Sequence, residues 1–490
     1  MSQNGDMARS ATERMPPAVY AVAGAVAVAL LVVSARYGFH RDELYFVAAG
    51  RRLAWGYVDQ PPLVPFLAGF VDALPGAVSP TLLRVVPALS AGFVVVLTAD
   101  MARTFGGARR ALAIAAALAA VGGFFLGVGH LLSTSTFDVA IWALIIALVA
   151  RILAGGSDKL WLGVGAAAGL GMLNKFTVAF LIIGLIVSLL LTPQRRTLAS
   201  VWVAAGAVVG GVIALPTVLW QAANGWPQLE MGAAISGRDG PVDYVLLQVA
   251  ILSVFLVVPA VRGGWWLWSD PVGRLWRVFP IAFVLLWVVF LLTGGKGYYA
   301  APLYLPLLAA GGLWLDSLTG AAKRSVVGLI AFGAAIGFFL ALPLLPPDAA
   351  SVPNEVNGEL GETYGWPELV DQVEGVVAAL DESDRANATI FTSNYGQAGA
   401  IEVIGEARLP QPVSGHNNYW LWGPGTTKGP IVGVGYVDAH LRQICPTVEL
   451  VATLSNPAGL ENDEFGTSLW LCRDPSRSLA DIWNDVRHFD

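Results

Sequence analysis

A chain with long, uninterrupted apolar stretches has few folds open to it. Eleven such stretches run near residues 17–35, 82–101, 110–129, 132–150, 160–174, 176–192, 199–219, 243–261, 277–293, 298–316 and 325–345. Most approach the roughly 20 residues that an α-helix needs to cross a bilayer, and the polar alternation of a membrane barrel strand is absent. With only 13% charged residues against 56% hydrophobic, a soluble chain of 490 residues could not clothe its surface. The expected fold class is therefore a polytopic α-helical membrane protein with about eleven transmembrane helices. The stretch 160–174 is short for a span.

Charge divides the chain. Residues 1–346 hold 22 basic and 14 acidic side chains, a net of +8, whereas residues 347–490 hold 7 and 21, a net of −14. The expected organisation is a membrane domain over 1–346, with a long first outer loop at 36–81, and a soluble α/β domain over 347–490. In the tail, 366–382 and 396–407 read as helices, and 388–394, 430–437, 447–454 and 467–473 as strands. An acidic domain does not favour nucleic acid. Basic residues recur in every second loop: Arg103, Arg109 and Arg110; Arg151 and Lys159; Arg195 and Arg196; Arg262, Arg274 and Arg277; Lys323 and Arg324. Arg9 and Arg14 precede the first span. The positive-inside rule then puts the N-terminus in the cytoplasm and, after an odd number of spans, residues 347–490 outside. The first apolar stretch is too long, and its flank too weakly basic, for a cleaved signal. Cys445 and Cys472 both fall in the outer domain, where a disulfide persists.

In this topology, chemistry-bearing residues gather on the outer side. The first outer loop carries His40, Arg41, Asp42, Glu43, Asp59 and Gln60, and the next turn His130 and Asp138. Later loops bring Asn174 and Lys175, then Gln221, Asn224, Arg238 and Asp239, then Lys296, Tyr298 and Tyr299. Asp42 opens the amphipathic stretch DELYFVAAGRRLAWG, read as a short helix along the outer surface. A carboxylate there either caps the helix or serves as a general base. Asp138 lies inside an apolar span, where a costly charge marks function, or else it sits in the headgroup layer and caps the helix with Ser135 and Thr136. Lys175 and Lys296 either snorkel to the interface or hold an anion such as phosphate. His416, Asn417, Asn418, Tyr419 and Trp420 form a polar and aromatic cluster suited to a sugar face, or to packing on the sheet. His40, Asp59 and His130 are the candidate ligands for a divalent cation, although no metal-ligand spacing joins them. Walker, HExxH, CxxC and dinucleotide motifs are absent, as are internal repeats.

The motifs RDELYF (41–46), DQPPLVPFL (59–67), FD (137–138), GLGMLNKFT (169–177) and GKGYYAAPLYLPLLAAGG (295–312), in that order, resemble the GT-C membrane glycosyltransferases. The likeness is to bacterial family 39-like proteins, related to protein O-mannosyltransferases and the lipid A aminoarabinose transferase. SNYGQAGAIEVIG (393–405) and SGHNNYWLWGPG (414–425) are similar to the extracytoplasmic domain of one branch. The resemblance implies inverting transfer of a hexosyl or pentosyl unit at the outer face of a bacterial plasma (inner) membrane. The donor would be a polyprenyl-phosphate-linked sugar and the acceptor a hydroxyl of a cell-envelope glycan, lipid or protein. By the same resemblance Asp42 maps onto the catalytic base, with Glu43 beside it, and Asp138 onto a second acidic position. Lys175, Lys296 and Tyr299 would lie near the donor phosphate, and Asp59, Gln60, His416, Asn417 and Trp420 near acceptor or sugar. The chain departs from the aminoarabinose transferases at Gln60, where they carry a phosphate-holding lysine. The competing readings are a transporter or flippase of a lipid-linked sugar, which predicts charge in mid-span, and a non-catalytic assembly or receptor protein sensing through its acidic tail.

Overall fold

The computed structural model describes residues 14–237 and 240–490; Arg9, Arg238 and Asp239 lie outside them. The chain folds into two compact units. The first comprises the described residues of Met1–Val32, Arg84–Ala222 and Ser236–Leu342. The second comprises Val33–Leu83, Ala223–Ile235 and Pro343–Asp490. The expected division at 346/347 thus falls close to a unit boundary, but the second unit also takes in the first outer loop.

The first unit is helical throughout, and each expected apolar stretch coincides with a helix or a broken pair. Among the described residues, four helices are long and apolar enough to cross a bilayer singly: Pro80–Thr104, Thr134–Leu153, Val201–Ala223 and Gly320–Ala341. Counting each bent pair as one span gives up to six. The stretch 243–261, expected as one span, is two helices, Pro241–Ile251 and Val257–Ser269. Ser253 and Val254 take positive φ (47° and 61°) between them, which ends the first helix. The Ser253 hydroxyl satisfies the backbone of a second break, accepting from Gly123 N–H (2.8 Å) and donating to the Val121 carbonyl (3.1 Å). That second break bends Arg109–Ala120 against Gly123–His130 by 64°. Elsewhere, Gly165 and Gly169 on one helix meet Gly206 and Gly210 on another so closely that a Cβ on Gly169 would lie 2.7 Å from the Gly210 carbonyl. Small residues four apart on both partners are the usual device for close helix packing in lipid.

The second unit is built on a five-stranded mixed sheet. Its strands are β1 (Thr389–Thr392), β2 (Pro412–Ser414), β3 (Ile431–Val434), β4 (Glu449–Thr453) and β5 (Ser468–Cys472), in the order β2-β1-β3-β5-β4. β2, β1 and β3 are parallel; β5 runs antiparallel to both β3 and β4. β2 went unread in the sequence, being three residues long. Helix Trp366–Ala378 buries Trp366, Leu369, Val370, Val373 and Val377, the apolar stripe expected of a helix on a sheet. Cys445 and Cys472 are disulfide-bonded, with Cα atoms 6.0 Å apart, tying the end of helix Asp438–Ile444 to β5.

Helix Arg41–Gly50 also belongs to this unit, and it does not lie on a surface. Residues Glu43 to Gly50 are all buried. Leu63–Asp72 covers one side, where Gly50 and Gly69 touch backbone to backbone. Helix Tyr395–Val403 covers another: a Cβ on Gly399 would lie 3.0 Å from the backbone of Leu44 and Tyr45, and one on Gly396 3.2 Å from Arg41. The glycines of the SNYGQAGAI motif thus permit this close contact.

Candidate functional site

The sequence-predicted residues fall into two groups, one in each unit. In the second unit, helix Arg41–Gly50 starts with a capping box that differs from the expected Asp42 cap. His40 is the N-cap, its Nδ1 accepting from Asp42 N–H (3.1 Å), and the Glu43 carboxylate accepts from His40 N–H (2.9 Å). Glu43 is fully buried in this cap. His40 Nε2 meets Glu359 at 2.9 Å, so both its ring nitrogens are engaged. Burial works against a charge on His40, but Glu359, Asp42 and Glu43 outweigh it and raise its pKa.

With the cap supplied by its neighbours, the Asp42 side chain is directed elsewhere. Its Oδ1 accepts from the Tyr395 hydroxyl at 2.8 Å, while the side chain keeps about a third of its surface (35%) exposed. The Tyr395 oxygen in turn accepts from Arg41 Nε and Nη2 (3.2 and 3.1 Å). Arg41 also binds Asp463 (2.5 Å) and Glu362 (3.4 Å). Burial opposes the guanidinium charge, yet Tyr395, Asp42 and Glu362 raise its pKa above the ordinary arginine value. Burial, then the Asp42 charge, pushes the Tyr395 phenol well above its usual range, so it donates to Asp42 as a neutral hydroxyl. Asn394 places Tyr395 by capping its helix through Gln397 N–H (2.9 Å) and by bonding Glu464 (2.8 Å).

The other residues named in this unit form a shell behind helix Arg41–Gly50. Asp59 accepts from Tyr45 Oη (2.9 Å), and burial pushes its carboxyl up to about 7 against the effect of that bond. Asn418 Oδ1 takes Val58 N–H (2.6 Å). Gln60 is 3% exposed, and neither of its side-chain polar atoms has a hydrogen-bond partner among the described residues. Glu402 joins Arg52 (2.6 Å) to Tyr419 (3.0 Å), and the Arg52 guanidinium lies 4.5 Å from the Trp422 ring. Trp420 and Trp483 exchange indole N–H bonds to each other's carbonyls (2.9 and 3.0 Å), so Trp420 packs within the domain. His416 and Asn417 are buried.

In the first unit, Asp138 sits one turn into helix Thr134–Leu153, capped by Ser133. It is 5% exposed, and both its oxygens lie 2.9 Å from the Thr177 hydroxyl. Lys175 donates to Ser135 Oγ (3.2 Å), and its ammonium lies 5.0 Å from the rings of both Tyr298 and Tyr299. The fold thus brings Lys175 and Tyr299 together. Lys296 accepts Tyr299 N–H on its carbonyl (3.0 Å) and precedes the 3-10 turn Gly297–Leu303. His130 Nε2 is 3.4 Å from Arg84, a guanidinium buried to 1% exposure.

Sequence reasoning missed Tyr395 and Arg84. Arg84 carried a signal, a cation within an apolar span, which functional sites favour. Tyr395 carried little, because nothing local marks which tyrosine a distant helix will meet.

Residues 59–220 match the family described as dolichyl-phosphate-mannose-protein mannosyltransferase. No curated protein gives a sequence match. Among solved structures, ArnT from Cupriavidus metallidurans in the apo state superimposes with a TM-score of 0.62 at 15% identity, over 92% of this chain and 97% of that one. The same protein bound to undecaprenyl phosphate gives 0.60, also at 15% identity and with the same coverage. The Archaeoglobus fulgidus oligosaccharyltransferase in complex with Zn and sulfate gives 0.51 at 13% identity, over 85% and 68% of the two chains. The mycobacterial arabinofuranosyltransferase AftD gives 0.52 at 14% identity, over 92% of this chain and 41% of that one. This chain is a helical membrane protein with the GT-C fold of membrane glycosyltransferases, and its residues 59–220 match the mannosyltransferase family.

Proposed function

We propose that this protein is an inverting glycosyltransferase that moves a hexosyl or pentosyl unit from a polyprenyl-phosphate donor to a hydroxyl of a cell-envelope glycan, lipid or protein. The observation that carries this reading is the Asp42 carboxylate. One oxygen is held by Tyr395 and the side chain keeps solvent access, as a base needs if it is to be both oriented and reachable. Asp42 takes the proton of the acceptor hydroxyl as that oxygen attacks the anomeric carbon; the bond to the lipid phosphate breaks with inversion. Glu43, buried in the helix cap, has a structural role. Support for the donor class comes from the fold shared with ArnT, a protein solved with undecaprenyl phosphate.

Lys175 with Tyr298 and Tyr299, and Lys296 beside them in sequence, fit the role of holding the leaving phosphate, since a lysine ammonium suits phosphate as a point charge. Asp138, tied to Thr177, fits a role in organising that helix end. The accompanying topology is eleven spans, N-terminus in the cytoplasm, residues 347–490 outside, in the bacterial plasma membrane. The decisive measurement is sugar transfer by Asp42→Asn in detergent, with donor binding followed separately. Loss of a general base typically costs ~10² to 10⁴ in rate. Near-normal turnover would reject Asp42 as the base.

A further inference from the structure

The tail of the second unit holds a cluster that the glycosyl-transfer reading does not use. His416 and His488 pair as an isolated parallel bridge: Asn417 N–H donates to the His488 carbonyl, and His488 N–H to the Gly415 carbonyl, each at 3.1 Å. These bonds clamp the two imidazoles side by side, ring centroids 4.4 Å apart. Asp490 adds a carboxylate, its Oδ1 2.9 Å from His416 Nε2. One donor atom from each of the three residues lies within 4.8 Å of the other two. Among the described residues this is the one such group of three or more histidine, cysteine or acidic side chains.

Two further observations point to a ligand. His488 Nδ1 is 2.9 Å from the Val486 carbonyl, which can only accept, so that nitrogen carries a hydrogen and Nε2 is the ring nitrogen left to face a ligand. Anchoring one ring nitrogen on a carbonyl is how metal-binding histidines are commonly oriented. Beside it, His416 Nδ1 and both side-chain polar atoms of Asn417 are buried without hydrogen-bond partners among the described residues. Buried polar atoms of this kind call for an explanation.

We propose that His416, His488 and Asp490 form a binding site for a divalent transition-metal ion of the zinc class. Two imidazoles and one carboxylate suit zinc or its neighbours; calcium and magnesium prefer all-oxygen sets. Donor atoms around a tetrahedral zinc stand about 3.3 Å apart. The 4.8 Å spread therefore closes by rotamer adjustment of the exposed His488 and Asp490. Water completes the coordination. The ion pins segment 486–490 to the 414–417 loop, whose His416 ring lies 4.8 Å from the ring of Tyr395.

The test uses the full chain, purified in detergent on a tag free of histidine and stripped with a chelator. Zinc is titrated by calorimetry and its stoichiometry measured by elemental analysis; cobalt reports coordination through its visible d–d spectrum. The expected result is one equivalent of zinc, a raised melting temperature, and no response to magnesium or calcium. His488→Ala, an exposed position whose backbone bonds survive the change, weakens zinc binding at least ~100-fold, beyond the 10- to 100-fold typical of an outer-sphere partner. Asp490→Asn weakens it at least tenfold. Absence of zinc binding by the wild type, or unchanged affinity in both variants, overturns the proposal. Neither outcome depends on sugar transfer.

Discussion

Replacing Tyr395 by Phe removes one oxygen and little else. The ring stays between those of Tyr45 and His416, each 4.8 Å away centroid to centroid. What disappears is the 2.8 Å bond to Asp42 and the acceptor for Arg41 Nε and Nη2. Arg41 keeps Asp463 and Glu362, so the guanidinium is not stranded. A hydrogen bond to a charged group contributes about 1.5–3 kcal/mol. If that energy holds Asp42 in its productive orientation, kcat/KM falls ~10- to ~150-fold. The assay is sugar transfer from a polyprenyl-phosphate donor, normalised to folded protein by melting temperature. Donor affinity should stay unchanged, because the loss lies in positioning the base. Tyr419→Phe is the control, since it removes a comparable buried bond, to Glu402, and should leave turnover close to normal. A Tyr395→Phe enzyme within twofold of wild type, or one no worse than Tyr419→Phe, would refute the assignment.

Lys175→Met keeps length but removes the charge resting 5.0 Å from the Tyr298 and Tyr299 rings; undecaprenyl phosphate affinity measured in detergent should fall at least tenfold, and unchanged affinity would exclude a phosphate role. Asp59 has its carboxyl raised to about 7 in the folded protein, far above an ordinary aspartate. The native state therefore binds more protons than the unfolded chain between roughly pH 4 and 7, and this group makes stability decline as pH rises through that window. Asp59→Asn should flatten the decline in melting temperature from pH 4 to 7, and parallel curves for both proteins would contradict it. Cys445→Ser with Cys472→Ser opens a disulfide spanning 27 positions and should lower stability by about 3.5 kcal/mol, read as a drop in the melting temperature that a reductant reproduces in the wild type.

What the sequence determined by itself was chiefly periodicity and solvent preference. Apolar stretches such as 132–150 could become little other than helices, because only internal hydrogen bonding satisfies the backbone there. The strands near β1, β3, β4 and β5 followed from short apolar runs between turn residues, within a residue or three at each end. The order of the motifs was enough to expect the GT-C fold. Local patterning could not show where a helix would break, since the positive φ at Ser253 and Val254 is tied to the bend at Val121 and Gly123, about 130 residues earlier. Nor could it show that the helix opened by Asp42 would be buried on nearly every side. Only the tertiary structure decided that His40 and Glu43 close the cap, leaving Asp42 to meet Tyr395, 353 positions away. It alone also brought His488 beside His416. The physical reason is common to these cases: spacing along the chain sets which residues share a face of one helix, but which two faces meet is set by the packing of the whole unit, here by the glycines at 396 and 399 that let one backbone reach another.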